Sequence, residues 1–146
     1  MNIISIDSRF KTKLAGILSS YPIVAAYLFG SAAEGRATPL SDVDIALVID
    51  QVKFSNSNRL QLELEIEDQI SQVCKIPNAD VRIINDAPLV IQGEVLTNGI
   101  LLYSHDEEAR VDYETRTRME YFDFLPLAAF NVDIHFAHVI EKGLNG

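Results

Sequence analysis

FGSAAEGRATPLSDVDIALVID, residues 29–50, joins the end of one apolar run to the start of another. The first run, IVAAYLF over 23–29, has the length and composition of a buried strand, and the second is predicted over 42–49. Side chains alternate along a strand, so Asp42 and Asp44 project to one face while Val43, Ile45 and Leu47 take the other. Same-face neighbours lie roughly 7 Å apart. Two carboxylates so placed can share one Mg²⁺, whose oxygen ligands sit at about 2.0–2.1 Å. Without a cation they repel, and the charge of one raises the pKa of the other. Two solvated acids at a strand end are the competing explanation, and the pair alone does not separate the two.

The turn upstream does. Gly30 lets the backbone approach a ligand closely. A short helix predicted over 31–37, capped by Ser31, would aim free N–H groups and its positive end at an anion. The Ser31 hydroxyl adds a donor. Strand, turn and helix thus form a phosphate seat, and the next strand brings carboxylates for a metal that bridges phosphates.

The remaining features bound the class. A chain of 146 residues with 48% hydrophobic content makes one domain with a real core. A net charge of −9 disfavours direct contact with nucleic acid, which needs clustered Lys and Arg, and suits a basic partner or a metal ion. The one cysteine, Cys74, excludes an internal disulfide and a cysteine-built zinc site, and is predicted to be a core residue near a helix end. The first residues, MNIISIDSRFK, lack a signal-peptide layout, and no apolar run is long enough for a bilayer. The expectation is a cytoplasmic protein with no membrane contact.

Along the chain, helical spacing is predicted over 9–20, 56–73 and 89–96, with strands at 80–84 (DVRII) and, as a short edge strand, at 100–103. From 106 to about 141 the pattern is helical, interrupted at Pro126. The order describes a compact α/β (α+β) domain: a small mixed sheet packed by helices, with a core over 1–104 and a long C-terminal helical segment over 105–146.

Gly30-Ser31, ten residues, then Asp42-Val43-Asp44 resembles the GSx10DxD motif of the polymerase-β-like nucleotidyltransferase superfamily. Ala33, Gly35, Arg36, Ala37 and Ser41 are similar to the GSxAxGRA…SDxD form of the minimal nucleotidyltransferases, the MNT domains. The resemblance implies a polymerase-β-like nucleotidyltransferase fold and a third acid on a neighbouring strand. Asp80 is the candidate; a solvated strand-end acid is its bland alternative, and Asp86 and Glu65 are weaker rivals. It also implies two Mg²⁺ ions held by Asp42, Asp44 and Asp80, and ATP as co-substrate, with AMP transferred and pyrophosphate released. Gly30 and Ser31 would hold the β- and γ-phosphates, and Arg36 stands as an added cation or as a surface residue. Asp80 would act as general base or share the second metal.

At this length the chain resembles stand-alone MNT antitoxins encoded beside HEPN-domain toxins, which are RNases. The implied activity is AMPylation of a toxin tyrosine, which silences the toxin. A phenol with a pKa near 10 needs the base or metal already named. Two alternatives stay open: transfer to a small molecule such as an aminoglycoside, and a non-catalytic antitoxin that only binds. The segment YFDFLPLAAFNVDIHF, residues 121–136, spreads Tyr121, Phe122, Phe124, Phe130 and Phe136 around a helix. They belong either to the core or to a surface that docks the toxin or a second copy. His135 and His138 share a helical face without a third ligand.

Overall fold

The computed structural model describes residues 7–30, 33, 35, 42–54 and 58–125. Helix α1 (Ser8–Leu18) opens on Asp7, whose carboxylate accepts the Phe10 N–H at 2.9 Å, and buries Phe10, Leu14, Ile17 and Leu18. That 3–4 spacing makes one apolar stripe, which a helix needs in order to pack. Strand β1 (Ile23–Phe29) and strand β2 (Val43–Ile49) follow. Helix α2 (Arg59–Cys74) buries Leu62, Ile66 and Ile70 and ends on Lys75, whose φ of 59° is left-handed. Next come β3 (Ala79–Ile83), α3 (Leu89–Asn98), β4 (Ile100–Ser104) and a helix α4 described over 107–125.

The sheet order is β3-β2-β1-β4. β1 runs antiparallel to β2 and β4, whereas β2 and β3 are parallel, joined by the α2 crossover. The sheet is mixed, as predicted, and β4 is an edge strand. Alternation sorts its residues into two cores. Val43, Ile45, Leu47 and Ile49 meet α1 and α2 on one face. Ala25, Tyr27, Ala46 and Val48 meet Val95 and Leu96 of α3 and Tyr113 of α4 on the other.

β3 forms the opposite edge, and exposed strand N–H groups invite pairing with other chains. Here α2 covers them. The Val81 N–H donates to Glu67 and the Ile83 N–H to Glu63, each at 2.8 Å. Glu63 and Glu67 are one helical turn apart, which matches the two-residue repeat of the strand. α4 is tied down by a buried polar cluster. The Tyr27 hydroxyl donates to Glu114 at 2.6 Å, and Arg110 and Arg118 donate to the same carboxylate at 2.9 and 3.2 Å.

Several expectations meet the structure directly. The strand over 23–29 is found as predicted, and the others shift by one or two residues at an end. Of the short helix predicted over 31–37, only Ala33 and Gly35 are described; both lie in turn, and Gly35 at φ 72° is not helical there. Cys74 closes α2, partly buried against the first core. Tyr121 is buried against Gly93 of α3, but Phe122 and Phe124 are exposed, so the aromatic segment divides between core and surface within its first turn. Pro126, Phe130, His135, Phe136 and His138 lie outside the described residues. Among the described residues, no helix is long and apolar enough to cross a membrane.

Candidate active site

The β1 exit and the starts of β2 and β3 meet at one end of the sheet. Asp44 is the register partner of Phe29 on β1 and of Asp80 on β3. Cross-strand partners point to the same face, so the Asp44 and Asp80 side chains leave the sheet side by side, on the face that carries α3 and α4 elsewhere. Asp42 is exposed and immediately precedes β2. Burial raises the Asp44 pKa above its ordinary value, and the charges of Asp80 and then Asp42 push it further, against a smaller pull from Arg82. Asp44 therefore feels both other acids.

Asp80 already has a cationic partner. Arg82 Nε donates to one carboxylate oxygen at 3.1 Å and Nη2 to the other at 3.4 Å. Sequence reasoning passed over Arg82, although two residues along a strand return a side chain to the same face. The two rivals for the third acid are engaged elsewhere. Asp86 pairs with Arg59 at 2.7 Å, and Glu65 lies on the exposed side of α2, bonded to Gln61 at 3.3 Å.

Gly30 comes next to the acids. Its φ is 74°, a left-handed conformation that L side chains rarely adopt, and a Cβ there would stand 2.5 Å from Asp44 Oδ2. A side chain at residue 30 would have to push that carboxylate aside as well as strain the backbone. Gly30 is half-buried, so the turn opens to solvent. Ser31, the other expected phosphate contact, and Arg36, expected as an added cation or a surface residue, lie outside the described residues. Gly30 also lines a groove of about 220 Å³, together with Phe29, Ile91, Glu94, Val95 and Asn98. No periodicity in the sequence marked it, because it forms where a strand end meets a helix of different origin in the chain.

Do these acids suit Mg²⁺? Among the described residues, no three His, Cys, Asp or Glu side chains form a ready-made metal cage. The donor set is nevertheless all carboxylate oxygen, the hard chemistry that Mg²⁺ takes with water and substrate phosphates completing its shell. The raised Asp44 pKa and the guanidinium clasped by Asp80 both mark a cluster that gains from a cation. The residues present fit the ion.

The profile of the family described as polymerase beta, nucleotidyltransferase matches residues 12–108, which includes all three acids and the Gly30 turn. No curated protein matches the chain. Solved structures share its fold. One is a toxin-antitoxin crystallised with AMP-PNP, 19% identical over 84% of this chain and 95% of that chain, with a TM-score of 0.64. Another is the toxin-antitoxin MntA-HepT, at 17% identity, 87% and 97% coverage and a TM-score of 0.61. A third is the tri-AMPylated Shewanella oneidensis HEPN toxin in complex with MNT antitoxin, at 20% identity, 86% and 94% coverage and a TM-score of 0.59.

Proposed function

Because the chain belongs to the polymerase beta nucleotidyltransferase family, we propose that it moves AMP from ATP to a tyrosine hydroxyl of a partner HEPN-domain toxin and so inactivates that RNase. The observation that carries the reading is the juxtaposition of Asp44 with Asp80 across β2 and β3, with Asp42 close enough for its charge to act on Asp44. The structural likeness to toxin-antitoxin chains, including those with AMP-PNP and an AMPylated toxin, supports the choice of donor and acceptor. A charge of −9 favours a basic, RNA-handling partner over nucleic acid itself.

Asp42, Asp44 and Asp80 would hold Mg²⁺. When bound, the ion neutralises triphosphate charge and stabilises what develops at the α-phosphorus and the leaving group. Gly30 offers bare backbone to the phosphates, and the expected contacts of Ser31 and Arg36 extend that seat. Asp80 accepts the phenolic proton as the tyrosine oxygen attacks. The new bond joins that oxygen to the α-phosphorus, and the bond to pyrophosphate breaks. Arg82 keeps the Asp80 carboxylate oriented until substrate arrives. The reaction belongs in the cytoplasm, where ATP and the toxin's RNA substrates are found.

The test is incubation of the purified protein with α-phosphate-labelled ATP, Mg²⁺ and the protein encoded by the adjoining gene. Label reaching a tyrosine with wild type, and not with Asp42→Ala plus Asp44→Ala, is the expected result. Equal neutralisation of the partner's RNase activity by both forms, without label transfer, would replace catalysis by binding alone.

A further inference from the structure

We propose that the groove between the β1 exit and α3 is the seat of the nucleobase of the donor triphosphate, an inference that rests on the nucleotidyltransferase reading above. The groove holds about 220 Å³ and shares Gly30 with the acid cluster, so a molecule whose phosphates lie along that turn can reach it without leaving the surface. Its walls are apolar: Phe29, Ile91 and the buried Val95. Its rim is polar: Glu94 and Asn98, one helical turn apart on α3. Apolar faces between polar edges are the shape of a base, and a pocket with apolar walls and a few placed polar groups is how such a ring is held. Phosphate fits the groove poorly, since its lining includes the Glu94 carboxylate and neither Lys nor Arg.

The rim is also ordered. Asn98 Nδ2 donates to Glu94 Oε2 at 3.0 Å, which fixes the plane of the amide. That bond uses one of the two amide hydrogens, and the second serves a ring nitrogen. The Glu94 carboxylate accepts from an exocyclic amine. Adenine presents an amine beside a ring-nitrogen acceptor, the combination that Asn side chains read in nucleic acids. Ile91, 45% exposed although it is a large aliphatic residue, gains a partner when a base covers it.

Calorimetric titration of the whole chain with ATP in Mg²⁺, and separately with inorganic tripolyphosphate in Mg²⁺, separates base from phosphate. The variants are Asn98→Leu and Ile91→Ala, both at exposed positions on α3 that the catalytic step does not use. Each is expected to weaken ATP about tenfold, a loss of the order of one good hydrogen bond or one aliphatic contact. Tripolyphosphate affinity stays within about twofold, which also reports an intact fold. Unchanged ATP affinity in both variants overturns the inference and leaves the nucleotidyltransferase reading standing. A parallel loss of tripolyphosphate also overturns it, as does a raised KM for the acceptor with ATP binding intact, which would make the groove the acceptor's seat. If wild type binds no ATP, the inference and the reading fall together.

Discussion

Asp44 and Asp80 stand opposite each other across the parallel β2–β3 pairing, although 36 positions separate them in the chain. Their charges oppose each other, and Arg82, paired with Asp80 at 3.1 Å, offsets part of that repulsion.

Asp44→Asn should therefore raise stability while abolishing transfer. The Asp44 pKa is raised in the folded state, so the fold binds that proton more tightly than the unfolded chain does. Its stability contribution is fully present below the unfolded value of 3.8 and lost as pH rises through the folded value. At pH 7 the ionised side chain is thus a burden that the amide removes. Thermal unfolding without metal should show a higher Tm for the variant at pH 7 and a smaller gap near pH 4. Mg²⁺ should raise the wild-type Tm only. Label transfer should fall about 100-fold or more. A lower Tm at pH 7 would contradict the electrostatic account.

Gly30→Ala and Gly35→Ala form a matched pair. Both positions have positive φ, 74° and 72°, so both substitutions strain the backbone by about 1 kcal/mol. At Gly30 the added carbon also meets Asp44 Oδ2, whereas among the described residues nothing lies within 4 Å of one at Gly35. Urea unfolding should rank Gly30→Ala as the costlier, by about 1–3 kcal/mol overall. Its activity should fall well beyond that of Gly35→Ala. Equal losses in the two variants would remove the contact from the explanation.

Removing the α2 carboxylates should uncover the β3 edge. Glu63→Ala with Glu67→Ala leaves the Ile83 and Val81 N–H groups without their acceptors, at about 1–3 kcal/mol for each part-buried group. Light scattering at raised concentration should detect association, because a bare strand edge is a template for pairing. Hydrogen exchange at Val81 and Ile83 should accelerate first.

Glu114 should set the acid limit of α4. Burial works to raise its pKa, but the hydrogen bonds from Tyr27 and Arg110 outweigh it and hold the carboxyl below the ordinary value. Its stabilisation is present above the unfolded value of 4.5 and lost as pH falls through the lower folded value. Tyr27→Phe removes one of those bonds. The variant should lose about 1 kcal/mol at pH 7, and its acid transition, followed by near-ultraviolet circular dichroism, should move to higher pH.

The sequence by itself determined whatever depends on near neighbours. The apolar periods at Leu62, Ile66 and Ile70 made α2, the apolar run 23–29 made β1, and alternation along β2 set Asp44 on the face opposite Val43 and Ile45. Asp80 was legible only through the resemblance, since nothing local says which strand lies beside β2. The tertiary structure decided that pairing, through an α2 crossover that seats β3 parallel to β2 and fastens it with Glu63 and Glu67. It alone also brought Gly30 against Asp44, Arg82 onto Asp80, and α3 beside Phe29 to open the groove. Periodicity reports which face a residue takes within its own element. Which elements then meet is settled by how their buried faces fill a common core, and that depends on the whole chain at once.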